Sequence, residues 1–148
     1  MYTALNREAL PLLRFRSREH VVVQTGETQT GRTGPRIRCV GRTDDMLIVR
    51  GVNLFPTAIR SVLDQFNGDV SGLFVVKPKQ VGVKQEPPLP VSVEVAPGAD
   101  PHNPELQSQI KLAIRERLLV TTDVTLVANN TLPRETYKSK LVDYSKAG

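Results

Sequence analysis

The apolar residues between positions 56 and 127 are spaced as in a helix in some segments and as in a strand in others. The order of these segments constrains the fold most. The first helix is predicted from Pro56, where apolar residues recur at helical intervals: Ile59, Val62, Leu63 and Phe66. A second is predicted after Asn103, a favoured cap before Pro104. Strand alternation marks three segments: residues 70–76, 91–96 and 122–127. The order predicts an α+β unit, a small three-stranded sheet backed by two helices.

The residues before this unit are predicted to form a short β-hairpin and an N-terminal extension. Apolar residues and arginines alternate along residues 36–42, as in a half-buried strand. A second apolar strand at residues 46–49 follows a turn at Asp44 and Asp45, so we expect these two strands to pair. Residues 1–35 end in a loop rich in threonine and glycine, and we expect no core of their own there.

Composition narrows the classes of function. The single cysteine, Cys39, cannot form an intramolecular disulfide or a cysteine-based zinc site, and no metal site is predicted. The net charge of +5 favours anionic partners, but the lysines and arginines are scattered, so a nucleic-acid surface is not favoured. Aromatic residues make up 5% of the chain, which also argues against stacking on RNA bases.

Two further expectations follow from hydropathy and length. No apolar run approaches the roughly 20 residues that cross a bilayer, and no signal pattern opens the sequence, so we expect no membrane association and a cytoplasmic location. A chain of 148 residues is also short for a self-sufficient nucleotide-dependent synthetase.

The most specific stretch is GRTDDMLIVRGVNLFP, residues 41–56. From the residues alone, this stretch can be explained as the end of a strand, a polar turn, a glycine turn and the start of a helix. The run also resembles, over all sixteen residues, the hinge region of the adenylate-forming superfamily. The resemblance is closest to the phenylacetate-CoA ligase branch, whose pattern is nearly GRTDDMLIIRGVNVFP.

Three more segments resemble this family in the family's order: residues 7–19 (REALPLLRFRSRE), 31–37 (GRTGPRI) and 132–138 (LPRETYK). The resemblance therefore covers nearly the whole chain. It implies that residues 1–41 are the tail of a large N-terminal domain with its linker, and that residues 42–148 are a mobile C-terminal domain.

The reaction that the resemblance implies has two steps. ATP, with Mg²⁺, and an aromatic or aliphatic carboxylate give an acyl-adenylate and pyrophosphate, after which coenzyme A displaces AMP. The small domain swings between the two steps over a large N-terminal adenylation domain, the implied partner, which holds the acid and adenine pockets. We therefore expect the isolated chain to be inactive and to bind none of these cofactors alone.

Residue roles follow from the same resemblance. Lys138 matches the catalytic lysine, whose ammonium can bridge the carboxylate and the α-phosphate as charge develops. Lys140 is the second candidate, because the family has glycine before its lysine and this chain has Tyr137. Asp44 matches the hinge aspartate, and Arg42 beside it is expected to steady the nucleotide or the contact between domains.

Two weaker sites complete the set. Gly51, Val52 and Asn53 match the loop that faces the pantetheine tunnel, although a plain turn before a helix explains them equally well. Glu19, with Arg16 nearby, matches an aspartate that binds the ribose hydroxyls, although glutamate is longer.

Two other functions stay open at this point. The chain could be a stand-alone interaction or nucleotide-binding module that complements a separate large domain. It could also be a basic nucleic-acid-binding domain, which the net charge alone supports. A homo-oligomer formed through residues 1–41 is a further expectation, because that region would lack its usual neighbours.

Overall fold

A computed structural model of the chain describes residues 3, 13–26, 31, 34–134, 141–145 and 147. The chain divides into two compact units, Met1–Asp44 and Asp45–Gly148. Among the described residues, every buried hydrophobic side chain lies in the second unit.

The first unit is built on a two-stranded antiparallel ladder. Strands β1 (Glu19–Gln24) and β2 (Arg36–Arg42) pair with Val23 opposite Ile37, and a bulge follows His20. Because paired residues share a face, one face of this ladder carries Val21, Val23, Ile37 and Cys39, all of them exposed.

The predicted pairing of residues 36–42 with residues 46–49 is wrong. Strand β2 pairs with β1, and β3 (Leu47–Val49) pairs with β4 (Val52–Leu54). The cause is the geometry of the two turns. Thr43–Asp45 form a 3-10 turn, whereas Arg50 and Gly51 have φ angles of 48° and 83°, as the two-residue turn of a tight hairpin requires. Val52 and Asn53, expected in a turn, are therefore strand residues.

The second unit contains a three-stranded mixed sheet. Strand β7 (Leu89–Val95) lies at its centre, antiparallel to β5 (Val70–Val76) and parallel to β8 (Thr122–Val127). The short strand β6 (Lys84–Gln85) instead joins β3 in parallel. The predicted α+β class, a three-stranded sheet with two helices and a hairpin before it, is confirmed.

Two helices complete the second unit. Helix α1 (Pro56–Leu63) begins with proline at its first turn and contacts β5 and α2. Helix α2 (Pro104–Leu118) contacts β8 and is capped by Asn103, whose side-chain oxygen accepts from the N–H groups of Glu105 and Leu106 at 3.0 and 3.1 Å.

The core lies between the helices and the sheets. Its most buried members come from every layer: Leu47, Leu54, Ile59, Leu63, Val93, Ile110, Ile114 and Val124. Within the described ranges, no helix is both long enough and apolar enough to span a bilayer.

Candidate functional site

A fully buried carboxylate lies near the C-terminal end of the central strand. Glu94 of β7 has 0% exposure. Val95 pairs with Val70 and Val93 pairs with Phe74, so three residues of β5, at positions 71–73, lie opposite Glu94 alone. This bulge depends on Gly72, whose φ of 81° favours glycine.

Hydrogen-bond donors from residues 129–134 converge on this carboxylate. Arg134 donates from Nη2 to Oε1 at 3.2 Å, and the N–H of Leu132 donates to Oε2 at 3.0 Å. The Asn129 amide donates to Oε1 at 3.4 Å and to the Val95 carbonyl at 3.1 Å. The loop that follows β8 is therefore fastened to the centre of the sheet.

These contacts decide the charge state of Glu94. Burial alone would raise its pKa, because desolvation disfavours the charged form. The hydrogen bonds from the Leu132 N–H, the Ser71 hydroxyl and the Asn130 N–H, together with the charge of Arg134, outweigh burial and lower the pKa of Glu94 below its ordinary value. The carboxylate is therefore ionised at neutral pH.

The chain is also held on the far side of residues 135–140. The N–H of Val76 donates to the Leu141 carbonyl at 2.8 Å, and the N–H of Asp143 donates back to the Val76 carbonyl at 2.8 Å. Both flanks of this segment are thus fixed, one to β7 and the other to β5. The predicted catalytic residue Lys138, the second candidate Lys140 and Tyr137 lie outside the described residues, between these two flanks.

A cavity of about 350 Å³ lies beside the two flanks. Its lining residues come from β5, β8 and both flanking segments: Val75, Lys77, Val127, Thr131, Leu132, Pro133 and Asp143. The walls are mostly apolar, and one lysine and one aspartate supply the charge.

The predicted hinge residue lies where the two units meet in sequence. Asp44 belongs to the 3-10 turn Thr43–Asp45, and the first unit ends at Asp44. Arg42, the last residue of β2, is half-buried and lies opposite Glu19 on β1. The structure thus places two of the predicted nucleotide and hinge residues side by side, while Arg16 is exposed just ahead of β1.

The predicted tunnel loop forms the β3–β4 turn. Gly51 is exposed, and a side chain added there would meet no atom within 4 Å among the described residues. Its positive φ explains the glycine without a ligand. Val52 is half-buried, Asn53 is exposed, and the turn itself presents the exposed residues Arg50 and Gly51 to solvent.

Sequence reasoning missed Glu94 and the role of Arg134. A single glutamate among the valines of β7 was the available signal, because a charge in a central strand needs a partner. That partner lies 40 residues away, so neither helix nor strand periodicity could pair the two residues.

Comparisons with known proteins agree with this architecture. The family model "AMP-binding enzyme C-terminal domain" matches residues 51–145. A phenylacetate-coenzyme A ligase of Escherichia coli is 32% identical over 143 residues, which cover 94% of this chain and 32% of that protein. The chain thus spans about one third of the length of this curated relative.

Solved structures give the same picture. 2-Hydroxyisobutyryl-CoA ligase, in the postadenylation state in complex with 2-HIB-AMP, superposes with a TM-score of 0.83 and 27% identity, covering 98% of this chain and 31% of that one. A domain of phenylacetate-coenzyme A ligase from Bacteroides vulgatus has a TM-score of 0.56 and 27% identity, covering 69% of this chain and 93% of that one.

Proposed function

Because the chain belongs to the AMP-binding enzyme C-terminal domain family, we propose that it is the mobile C-terminal domain of an AMP-forming acyl-CoA ligase. Residues 42–148 are the domain itself, and residues 1–41 are the end of a large adenylation domain with its linker. The partner of the chain is that large domain, which supplies the pockets for ATP and for the carboxylic acid.

The observation that carries this proposal is the extent of the family match. It runs from the Gly51 turn to the segment that follows Lys138, and so includes both elements to which this proposal assigns a role in the two half-reactions. The structural relative is named as a CoA ligase and its structure holds 2-HIB-AMP. Both facts support a reaction that involves an adenylate and coenzyme A. The fixed flanks of residues 135–140 support a loop that is presented from a rigid sheet.

In the proposed first step, a carboxylate oxygen of the acid attacks the α-phosphorus of ATP, and pyrophosphate leaves. Negative charge grows on the α-phosphate oxygens and on the leaving group, and the ammonium of Lys138 neutralises part of it. Mg²⁺, carried with ATP, supplies further neutralisation in the complete enzyme.

In the proposed second step, the domain turns about Asp44 and the hairpin of Gly51, Val52 and Asn53 faces the incoming coenzyme A. The thiolate sulfur attacks the acyl carbon of the adenylate, the acyl–phosphate bond breaks and AMP leaves with the electron pair. Because Gly51 has no side chain, its backbone in the hairpin turn can approach the pantetheine arm closely.

A hybrid enzyme tests the proposal. The region of the Escherichia coli relative that this chain matches is replaced by the chain, and ATP–pyrophosphate exchange is measured with phenylacetate. We expect exchange well above that of the large domain alone, and none from the purified 148-residue chain. Exchange by the chain alone, or a hybrid no better than the large domain alone, would overturn the proposal.

A further inference from the structure

We propose that Glu94 is a positioning residue whose buried carboxylate folds residues 129–134 and thereby fixes where the loop that carries Lys138 begins. This inference rests on the proposed function of Lys138. Its structural part, the folding of residues 129–134 around Glu94, stands on the geometry alone.

The fold makes a dedicated place for this carboxylate. Glu94 is on the central strand β7, which pairs with β5 on one edge and with β8 on the other. The bulge of β5 at residues 71–73 lies directly opposite Glu94. A regular β5 would place one residue opposite Glu94 instead of three.

The carboxylate also supplies the acceptor around which residues 129–134 fold. Residues 129–134 contribute three groups of donors, namely the Asn129 amide, the Leu132 N–H and the Arg134 guanidinium. An apolar residue at position 94 would suit a central valine-rich strand, but it would leave these donors without their acceptor. The charge therefore specifies one conformation of the loop.

Glu94 is linked to Lys138 through a short stretch of chain. Arg134 is the last described residue before Lys138 and is separated from it by three residues. A shift of Arg134 would displace the Lys138 side chain, which must reach the reacting phosphate. A displacement of about 1 Å can lower the reaction rate about a hundredfold. Lys138 supplies the positive charge at the reacting phosphate, and Glu94 acts only by positioning Lys138.

A matched control lies elsewhere in the second unit. Lys111 and Asp123 form an ion pair of the same length, 3.2 Å, between α2 and β8. Their side chains are 37% and 59% exposed, so water screens the pair, and Asp123 accepts nothing from residues 129–134 among the described contacts. Asp123→Asn removes an acid and an ion pair without touching the anchor.

Amide hydrogen exchange on the full 148-residue chain tests the structural part. In Glu94→Gln, we expect the amide of Leu132 to exchange at least about tenfold faster, because a charge-assisted acceptor is lost, while amides of α2 keep their protection. In Asp123→Asn, the amides of Leu132 and of α2 should stay unchanged. Unchanged protection of Leu132 in Glu94→Gln would overturn the inference.

A second variant keeps the test decisive if Glu94→Gln does not fold. Arg134 has 57% of its side chain exposed, so Arg134→Gln leaves the core intact. It removes the charge from the anchor, and we expect faster exchange of Leu132 in this variant too. A loop as protected as in the parent chain would count against the inference.

Kinetics of the hybrid enzyme test the positioning part. We expect Glu94→Gln to lower kcat of adenylate formation at least about tenfold, with KM for ATP changed less than about twofold and thioester formation from supplied adenylate unchanged. Equal loss in both half-reactions would mean a merely structural role and would overturn the inference.

Lys138→Ala, measured in the same assay, separates the two claims. If it abolishes adenylation and Glu94→Gln does not affect it, the positioning inference fails and the proposed function stands. If Lys138→Ala leaves adenylation intact, the proposed function of that residue fails, and the positioning inference fails with it.

Discussion

Arg134 donates a hydrogen bond of 3.2 Å from Nη2 to Oε1 of Glu94, 40 residues earlier in the chain. The two partners differ in environment, because Glu94 is fully buried and the Arg134 side chain is 57% exposed. The pair therefore fastens a surface loop to the interior of the sheet. Since more than half of the Arg134 side chain is exposed, we expect the buried carboxylate to matter more for stability than the arginine does.

The pH dependence of stability should follow Glu94. Its folded-state pKa lies below its unfolded value, so the unfolded chain binds more protons between the two values. The contribution of Glu94 is therefore present above the ordinary glutamate pKa of about 4.3 and is lost as pH falls through the lowered value. At pH 7, Glu94→Gln should lower the free energy of unfolding by about 1–3 kcal/mol.

Urea denaturation at pH 7 and at pH 3 measures this effect. The difference between the parent chain and Glu94→Gln should shrink at pH 3, whereas Asp123→Asn should show little difference at either pH. A difference that is constant from pH 7 to pH 3 would contradict the assigned charge state.

The role of Gly51 can be tested against a second glycine that has the same φ angle. Gly51 and Gly98 both have a φ of 83°, and an added side chain would meet no described atom within 4 Å at either position. Alanine at either position should lower the free energy of unfolding by about 1–2 kcal/mol, through backbone strain alone. In the hybrid enzyme, we expect Gly51→Ala to slow thioester formation as well, and Gly98→Ala not to do so. Equal kinetics would remove the tunnel role of Gly51.

Packing of helix α2 gives a second matched pair. Ile110 is fully buried, whereas Leu112 on the same helix is 56% exposed. Ile110→Ala should lower the free energy of unfolding by about 2–5 kcal/mol, because it leaves a cavity in the core. Leu112→Ala should change it by less than about 0.5 kcal/mol, as measured by the same denaturation curves. Similar losses in the two variants would show that the face of α2 is wrongly assigned.

The sequence patterns predicted most of the second unit because each element there obeys one local rule. Pro56, the Asn103 cap and the alternating valines define α1, α2 and β7 within a few residues of the observed bounds. The pairing of β2 was mispredicted because Asp44 and Asp45 suit both a hairpin turn and a 3-10 turn, and neighbouring strands decide between them.

The resemblance to the adenylate-forming superfamily is confirmed by the family match over residues 51–145. The anchor at Glu94 was not predictable in the same way. It depends on a bulge in β5 and on a contact across 40 residues, and both arise from tertiary structure. The roles of Lys138, Asp44 and Glu19 stay predictions.

The exposed apolar face of the first unit gives a prediction about association. Val23 and Ile37 are paired across β1 and β2 and are 54% and 53% exposed. Apolar side chains grouped on one face favour self-association when no other domain covers them. We expect the purified chain to form a homo-oligomer through residues 1–41, and the double variant Val23→Lys/Ile37→Lys to sediment as a monomer. Identical sedimentation of the two proteins would contradict this.

We propose that this chain supplies the lysine of the adenylation step, and Lys138→Ala in the hybrid enzyme is the decisive variant. Adenylate formation and thioester formation from supplied acyl-adenylate are measured separately, with Lys140→Ala as the control. We expect Lys138→Ala to abolish the first half-reaction and to spare the second, and Lys140→Ala to retain both. Equal loss of both half-reactions in Lys138→Ala, or full adenylation without Lys138, would contradict it.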